Sequence, residues 1–311
     1  MVIMNRVVVV YNPRSSQAGR VKGEVLAKLP EAEEFEVADT DVDDNADKLA
    51  KVLKDGDLVI AAGGDATATI GINGCLLSEV DAIFVALPYG NFSDVAKRLG
   101  AETLDDVLVA SGDGEIKLRG RHQASIREVY PLEILVDGKH LRYGLGYFTV
   151  GLLAEAAKMF DRRNVRRELR KGKRGLVGQL MRAMEWYGKN RKRRFLPEEY
   201  VYNGSVVKDT TDMIAMNTRR MSKVMRGEDT LMKRREFRAG VVRGEEWLAM
   251  MWFGLRSVLL RVPLLKTKQA MMEFDEPTEI EVQGEGEYKR VRARGIEVRK
   301  SERGLRVILK R

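Results

Sequence analysis

Residues 63–67, Gly-Gly-Asp-Ala-Thr, place two glycines and a carboxylate between an apolar run and a stretch of helix-forming residues. Glycine lets a ligand approach the backbone closely, because no Cβ intervenes. The helix that follows presents unpaired N–H groups and the positive end of its dipole, which together suit a phosphate group. The carboxylate of Asp65 would itself repel phosphate, so it fits a magnesium-linked role, a proton-handling role or a helix cap. The motif is neither the dinucleotide fingerprint GxGxxG nor the P-loop GxxxxGKS/T.

Two further segments rich in Gly, Pro, Asn and Ser end predicted strands in the same part of the chain. Asn-Pro-Arg-Ser-Ser (12–16) closes the first apolar run, and Pro-Tyr-Gly-Asn-Phe-Ser-Asp (88–94) closes the fourth. Sheets of parallel strands bind ligands at the carboxyl ends of those strands. We therefore expect residues 12–16, 63–67 and 88–94 to gather at one rim.

The elements that must position these segments alternate in type over residues 1–125. Val- and Ile-rich strands, each followed by a helix, indicate a parallel sheet covered on both faces, which is a three-layer α/β domain. In residues 126–311 apolar and polar residues alternate instead, with a hairpin signal at Asp137-Gly138. The sequence thus predicts a second, mostly antiparallel β domain, interrupted by helical stretches at 151–192 and 245–261.

The composition describes a folded protein that favours anionic partners. Of the 311 residues 44% are hydrophobic and 32% are charged, which excludes a disordered chain, and the formal charge is +9. The single Cys75 forbids an internal disulfide and argues for a reducing compartment, the cytoplasm. The N-terminal apolar run is too short for a signal peptide. Arg256 and Arg261 argue against a membrane-spanning helix at 247–265.

Most of the positive charge is concentrated in one segment, residues 162–194. It holds fourteen Lys or Arg and two Glu, a net charge of +12, with apolar side chains between them. A basic amphipathic helix of this kind suits an anionic membrane surface; a solvated face is the alternative. Nucleic acid is not expected, because no helix-turn-helix, zinc or RNP-like motif accompanies the charges. The apolar segment 247–262 fits either a core or an acyl-chain pocket. The oligomeric state has no sequence signal.

The three rim segments, taken in order, resemble the diacylglycerol kinase catalytic-domain family of lipid kinases, with sphingosine kinases as relatives and NAD kinases as more distant ones. The family pattern runs N-P-x-S-G, then G-G-D-G-T, then P-x-G-T-x-N-D-x-A-R-x-L-G. The resemblance continues through residues 146–160, 173–186 and 278–290 and so covers nearly the full length. The matching rim residues are Asn12, Pro13, Ser15, Gly63, Gly64, Asp65, Thr67, Pro88, Gly90, Asp94, Ala96, Leu99 and Gly100.

The resemblance implies an active site between a nucleotide-binding α/β domain and a β-sandwich domain. It implies an ATP-dependent kinase that phosphorylates a hydroxyl of a membrane lipid, with Mg²⁺ near Asp65. The basic segment 162–194 would hold such a kinase on the membrane as a peripheral protein. Glu285 takes the place of the family's general base, and Glu287 is a rival because Gly-Glu-Gly-Glu permits a slip of two residues. The implied nucleotide-binding residues are Asn12, Pro13, Ser15, Thr40, Gly63, Gly64, Asp65, Ala66, Thr67, Gly90 and Asn91.

Several positions depart from the family pattern. Ala66 replaces a glycine; this costs on the order of 1 kcal/mol if the position needs a positive φ, or blocks a close backbone contact. Leu153 and Gln283 stand where the family has aspartates, and residues 233–236 lack the acidic pair that holds a structural magnesium there. Two alternatives therefore stay open: a catalytically weak or dead nucleotide- or lipid-binding protein, and a soluble small-molecule kinase of the NAD kinase type.

Overall fold

Two sheets dominate the computed structural model of the chain, and they differ in strand direction. One is mostly parallel and is covered by helices, whereas the other is antiparallel. The predicted fold class, an α/β domain followed by an antiparallel β-rich domain, is therefore confirmed. The structure describes residues 6–38, 41–90, 93–110, 116–118, 124–161, 185, 189, 194–221, 225–226, 228–243, 264–285 and 287–310.

The first sheet contains the Val- and Ile-rich runs that the sequence predicts as strands. All its neighbouring pairs are parallel except the last, where β7 runs antiparallel to β20. The central strands are buried on both faces, as parallel strands under two helical layers must be. In spatial order the strands are β2 (Glu33–Glu36), β1 (Arg6–Tyr11), β3 (Asp57–Gly63), β4 (Ile83–Pro88), β20 (Leu305–Lys310) and β7 (Ala124–Val129).

Helices cover both faces of this sheet, which gives the three layers expected from the sequence. One face carries α1 (Ala18–Glu24) and two short 3-10 turns, Leu26–Lys28 and Leu104–Asp106. The other face carries α2 (Val42–Val52), α3 (Asp65–Leu77) and α4 (Asp94–Leu99). Asp41 begins α2 by accepting the N–H groups of Asp43 (2.9 Å) and Asp44 (3.1 Å). Gly100, with a φ of 81°, ends α4 in the left-handed conformation that glycine adopts easily.

The second sheet is built from antiparallel pairs, with the long β18–β19 hairpin at its centre. Asp137 and Gly138 both have positive φ, so the predicted hairpin between β8 and β9 is confirmed. The main path in spatial order is β17 (Leu265–Thr267), β16 (Phe237–Arg243), β13 (Thr210–Met216), β10 (Tyr147–Gly151), β18 (Gln269–Gly284), β19 (Glu287–Lys300), β8 (Leu132–Val136) and β9 (Lys139–Gly144).

Smaller elements complete the described part of the chain. The helix predicted at 151–192 is present at its start as α5 (Leu152–Asp161); the rest of that stretch and the helix predicted at 245–261 lie outside the described residues, apart from 185 and 189. A side branch from β18 holds β11 and β12. The bounds of the remaining strands are β5 (Leu108–Ala110), β6 (Ile116–Leu118), β11 (Glu199–Tyr202), β12 (Ser205–Lys208), β14 (Arg220–Met221) and β15 (Met225–Arg226).

Within the residues that the structure describes, the chain crosses between the two sheets twice. It leaves the first sheet after β7 and enters the second at β8, and it returns from β19 to β20 at the C-terminal end. The first sheet therefore takes in residues 305–310 as well as 124–129. The division into domains at 1–125 and 126–311 stays a prediction. The two crossings hold the halves together whatever boundary is chosen.

Helix α3 connects the two sheets. Residues Thr67–Leu76 are all buried, whereas a surface helix buries only one stripe, because α2, the first sheet and β9 surround it. Asn73 joins α3 to β9: its Nδ2 donates to Tyr143 O (3.0 Å), and its Oδ1 accepts the Tyr143 N–H (2.7 Å). On α2, Asp43 pairs with Arg142 (2.8 Å) and Lys289 (2.6 Å) of the second sheet.

Candidate active site

The carboxyl ends of β1, β3 and β4 meet at one rim, where the sequence places its glycine-rich segments. Gly63 is the last residue of β3 and pairs with Pro88 at the end of β4. On the other side, Val10 pairs with Ala61, so the parallel register brings Asn12 level with Gly63. The structure thus brings the three segments together as the sequence predicts, within their described residues.

Two backbones touch at the centre of this rim. A Cβ built on Gly90 would lie 2.2 Å from Gly64 Cα and 2.4 Å from Gly64 N, which is inside the van der Waals limit. The glycine at position 90 is therefore required by the close approach of two loops. Ser93 spans the same point, because its Oγ makes long hydrogen bonds to Gly63 O (3.4 Å) and Gly90 O (3.3 Å).

The other rim residues are held by local contacts. Asn12 closes a turn, since its Oδ1 accepts the Arg14 N–H (2.8 Å) and its carbonyl accepts the Ser15 N–H (3.1 Å). Pro13 lies inside this turn, and Ser15 is exposed. Thr67 is buried beneath Gly63, where a Cβ would meet its Oγ1 at 2.3 Å. Backbone groups therefore line much of this rim.

Asp65 is the first residue of α3 and faces away from that helix's own amides. Its Oδ1 accepts the Val95 N–H of α4 (3.0 Å), so the interpretation of Asp65 as the cap of α3 is wrong; Gly64, which has no side chain, stands at the N-cap. Among the residues that the structure describes, no donor reaches Oδ2 of Asp65. Burial, with Glu285 and Asp94 nearby, raises the pKa of Asp65 to about 7, although the Val95 N–H and Arg98 act in the opposite direction.

Ala66 lies inside α3 with a helical backbone, and it does not have the positive φ that would make alanine costly. The strain considered for the replacement of the family's glycine is therefore absent. The methyl group packs at the edge of the hydrophobic core beneath the sheet's helical face. Alanine is a favourable residue in this position because it loses less conformational freedom in a helix than glycine does.

Glu285 reaches this cleft from the second sheet. It follows β18 directly, has a φ of 51° and is only 2% exposed. Its Oε2 accepts from Arg98 Nη1 of α4 (2.9 Å), and its Oε1 accepts the Gly146 N–H. The structure therefore brings Glu285 and Asp65, 220 residues apart in the sequence (285 − 65), into one electrostatic environment.

Arg98 is a site residue that the sequence reasoning missed. Its side chain is 14% exposed, and its guanidinium lies 5.8 Å from the centre of the Tyr147 ring. Burial alone would lower the pKa of Arg98, but Glu285 and the other nearby negative groups outweigh burial and raise it. Arg98 falls on a variable position of the family pattern, so only its charge within the motif could have drawn attention to it.

Gly146 is the second residue that the sequence reasoning missed. A Cβ there would lie 1.7 Å from Arg98 Nη1 and 2.7 Å from Glu285 Oε1. Only glycine allows the ion pair to form against the backbone at this point. Its place in the Gly-Tyr-Phe-Thr-Val-Gly strand was quoted for the family resemblance, but no spacing rule identified it as a partner of Glu285.

Glu285 and Glu287, the two candidate bases, lie in different surroundings. The contacts of Gln283 account for its replacement of the family's aspartate. Glu287 begins β19 opposite Gly284, whereas Glu285 is the residue that contacts Arg98. Gln283 accepts from Thr149 Oγ1 (3.1 Å) and donates to the Tyr147 hydroxyl (3.3 Å), a pair of roles that an ionised aspartate could not fill.

A buried carboxylate also lies beside Leu153, although it comes from a different strand than the family pattern implies. Asp212 of β13 accepts the Leu153 N–H at 2.6 Å, and its Oδ2 has no hydrogen-bond partner within the described chain. Burial raises the pKa of Asp212 to about 7. This carboxylate lies at the start of α5 and caps it.

Some predicted residues lie outside the part of the chain that the structure describes. These are Thr40 and Asn91 of the nucleotide set, the apolar segment 247–262, and the basic segment 162–194 apart from residues 185, 189 and 194. No described helix is long and apolar enough to cross a membrane.

The carboxylates near the rim decide whether a magnesium ion could bind there. Among the described residues no cluster of three or more His, Cys, Asp or Glu could hold a metal by itself. Mg²⁺ usually binds through one or two carboxylates together with water and substrate phosphates. Asp65, whose Oδ1 accepts the Val95 N–H, is one carboxylate at such a shared site. The residues present therefore suit a magnesium ion that arrives with a phosphate ligand.

Comparison with solved structures gives the same fold from end to end. Two candidate diacylglycerol kinases from Bacillus anthracis strain Sterne superimpose with TM-scores of 0.60 and 0.58, both at 16% identity. They cover 96% and 98% of this chain and 94% and 97% of their own. A third structure, of a diacylglycerol kinase from the same organism, has a TM-score of 0.58 at 14% identity over 98% of this chain and 96% of its own.

These identities establish the fold alone, and no curated protein matches the sequence. The family model of the diacylglycerol kinase catalytic domain matches the N-terminal part, residues 6–110. That range contains the described rim residues, Asp65 and Arg98. Over these residues the chain is similar to the diacylglycerol kinase catalytic domain.

Proposed function

We propose that the protein is an ATP-dependent lipid kinase that transfers a phosphoryl group to a hydroxyl of a membrane lipid. One observation carries the proposal: a glycine rim suited to phosphate faces a buried glutamate from the other sheet, with Arg98 between them. A phosphoryl-transfer site needs this combination, because the donor's charge and the acceptor's proton must be handled within a few ångströms of each other.

The rim supplies the nucleotide side of this proposal. Backbone N–H groups at the start of α3 lie where β3 ends, a place suited to a phosphate. The glycines at 63 and 90 let this turn pack closely against Thr67 and against the loop after β4. Asn12, Pro13 and Ser15 extend the rim at β1, and Ala66 and Thr67 form the first turn of α3. Thr40 and Asn91 belong to the same proposed set by resemblance.

Asp65 is the residue proposed to hold Mg²⁺ against the nucleotide phosphates. Bound there, the ion would offset negative charge on the transferring phosphoryl group. A divalent cation needs the ionised carboxylate, and with a pKa of about 7 Asp65 is protonated in only part of the protein at neutral pH. Binding of magnesium should therefore release protons, which offers a measurement independent of turnover.

Glu285 is proposed to accept the proton of the lipid hydroxyl. Before it can do so, one of its oxygens must be released from its present hydrogen bond. Arg98 and the Gly146 N–H occupy both oxygens of the carboxylate. The base becomes effective when Arg98 turns toward phosphate oxygens and leaves Oε2 to the hydroxyl. In this proposal Arg98 links nucleotide binding to acceptance of the proton.

The membrane part of the proposal is supported by charge. A net +12 over residues 162–194 would attract the protein from the cytoplasm to an anionic membrane surface. Sedimentation with anionic and neutral vesicles tests this directly. Replacing Arg191, Lys192, Arg193 and Arg194 with glutamine should weaken binding to the anionic vesicles only, and equal binding would show that the segment is a solvated face.

The experiment that tests the catalytic proposal is transfer of labelled phosphate from ATP to a total lipid extract in the presence of magnesium. Label should appear in the lipid fraction, and Asp65→Asn and Glu285→Gln should each reduce it by about a hundredfold or more. Exposed Asp209→Asn and Glu302→Gln make the same chemical changes elsewhere and should leave transfer unchanged.

Each alternative predicts a different result in that assay. Label in a water-soluble product would favour a soluble small-molecule kinase. Nucleotide binding without transfer to any fraction would favour a dead binding protein, and transfer that survives Glu285→Gln would remove Glu285 from the chemistry.

A further inference from the structure

The two chain crossings between the sheets run side by side. Tyr130 and Pro131 connect β7 to β8, and Ser301 begins the return from β19 to β20. The Ser301 N–H donates to Pro131 O at 2.8 Å, and the Tyr130 N–H donates to Leu231 O at 2.9 Å. The loop after residue 228 is thereby joined to the first crossing, which in turn contacts the second.

A buried lysine lies at this junction. Lys300, the last residue of β19, is 5% exposed, and its Nζ donates to Tyr130 O (2.8 Å), Thr230 O (2.9 Å) and Asn217 Oδ1. Three acceptors match the three protons of an ammonium group. Burial lowers the pKa of Lys300 to about 7, and Asp229 acts in the opposite direction. An apolar side chain would fill this space without the cost of burying a charge, so the lysine calls for an explanation.

Asn217 contacts Lys300 on one side and the Leu145–Gly146 backbone on the other. It is fully buried after β13, and its Oδ1 also accepts from Thr230 Oγ1 (3.0 Å). Its Nδ2 donates to Tyr130 O (3.0 Å) and to Leu145 O (2.9 Å), and its backbone N–H donates to Gly146 O (2.8 Å). The nitrogen and the oxygen of the side-chain amide are therefore both engaged. Asn217 also holds two consecutive carbonyls, Leu145 O through Nδ2 and Gly146 O through its backbone N–H.

The held carbonyls determine where one catalytic hydrogen bond points. Leu145 C=O and Gly146 N–H belong to the same planar peptide unit and point in opposite directions. Fixing Leu145 O on Asn217 therefore aims the Gly146 N–H, and that N–H donates to Glu285 Oε1. Position 146 must be glycine because of Arg98, and glycine leaves its backbone free to rotate. An external clamp is needed to orient it.

We propose that Lys300 and Asn217 are positioning residues for Glu285, acting through the Leu145–Gly146 peptide. The inference rests on the proposed kinase reaction, in which Glu285 accepts the proton of the lipid hydroxyl. Because Lys300 also holds Tyr130 at the crossing, the same clamp ties the connection between the two sheets to the orientation of the catalytic carboxylate. Neither residue touches the substrates.

The test compares Lys300→Met with Val298→Ala. Val298 lies two residues earlier on β19 and is fully buried in the core of the second sheet, away from the clamp. Lys300→Met should lower kcat about tenfold or more through a misplaced carboxylate, with the KM for ATP unchanged because the rim is separate. Val298→Ala should lose stability and keep its kcat. A kcat for Lys300→Met equal to that of Val298→Ala would overturn the proposal.

Two further measurements keep the test decisive. The Gly146 N–H resonance should shift in Lys300→Met and stay in place in Val298→Ala. If it does not shift in Lys300→Met, the proposed positioning through the Leu145–Gly146 peptide is wrong, even if the wild type transfers no phosphate. If Lys300→Met does not fold, Thr230→Val replaces it, since this near-isosteric change removes only the hydroxyl that contacts Asn217. An unchanged Gly146 resonance and kcat in Thr230→Val would then overturn the proposal.

Discussion

The glycine rim and the Glu285–Arg98 pair face the same cleft but are built in different ways. The rim uses backbone groups of three short segments, and its closest contact joins Gly90 to Gly64, 26 residues apart (90 − 64). The pair uses buried side chains that are 187 residues apart, one from each half of the molecule. The comparison indicates that the rim exists wherever the first sheet folds, whereas the pair exists only when both sheets are docked.

The largest expected effect comes from removing one member of the buried pair. Arg98→Met leaves Glu285 buried without its counter-charge, which should lower the free energy of unfolding by about 3–5 kcal/mol. The double variant Arg98→Met with Glu285→Gln should recover part of this loss, because neither residue then leaves an unpaired charge. Urea unfolding of the wild type, both single variants and the double variant measures the coupling.

A variant in the rim provides the control for this double-mutant cycle of Arg98 and Glu285. Asp65→Asn changes an acid whose pKa is already raised by burial, so it should alter the free energy of unfolding little while it abolishes transfer. If the Arg98 and Glu285 effects simply add, the two side chains do not depend on each other, and the contrast between rim and pair disappears.

A smaller effect is expected from adding a methyl group to the rim. In Gly90→Ala the new Cβ would meet the backbone of Gly64 rather than a movable side chain. Such overpacking typically costs about 1–3 kcal/mol, and it separates the loops where phosphate is proposed to bind, so nucleotide affinity should fall as well. Gly23→Ala in α1, where nothing lies within 4 Å of the new Cβ, is the matched control. It should be neutral or stabilising in thermal unfolding.

The same contrast shows how much of the site the sequence could predict. Gly63, Gly64 and Gly90 were found because a glycine-rich end of an apolar run has a local meaning that needs no knowledge of distant residues. The alternation of strand and helix likewise predicted the three layers. Fold and rim therefore follow from short-range patterns.

The rest of the site depends on contacts between residues far apart in the sequence. Glu285 was named only through the family resemblance, and Arg98, Gly146, Asn217 and Lys300 carried no recognisable local signal. Lys300 ends a strand of alternating residues, where a lysine is ordinarily solvent-exposed. Its burial becomes visible only when β7, β13 and β19 are assembled. At Ala66 the family pattern suggested backbone strain that the structure does not show, because the residue has helical backbone angles.

The second sheet should also show a pH dependence of stability, through the buried Asp212. Burial raises the pKa of Asp212 to about 7, against about 3.9 in an unfolded chain. Between those values the folded protein holds a proton that the unfolded chain has lost. This contribution to stability is therefore present in full below about pH 4 and decreases as the pH rises to about 7, by up to about 1.4 kcal/mol per unit.

Asp212→Asn removes that titration. The variant should match or exceed the wild type in unfolding free energy at pH 8 and lose its advantage at pH 5. Asp209→Asn, at an exposed position three residues earlier, makes the same change without burial and should follow the wild type at every pH. Parallel curves for Asp212→Asn and the wild type would show that Asp212 does not change its protonation between these pH values.

The smallest expected effect concerns Ala66, which the family pattern would exchange for glycine. Because the residue is helical and its methyl packs on the core, Ala66→Gly should cost about 0.5–1 kcal/mol of stability and bring no gain in phosphate transfer. Ala50→Gly, in the interior of α2, gives the cost of the same change in a helix away from the rim. Thermal unfolding and the labelled-phosphate assay measure both effects on the same samples. A rise in transfer for Ala66→Gly alone would mean that the methyl obstructs an approaching phosphate, and the rim would then depend on side-chain size at a third point besides Gly63 and Gly90.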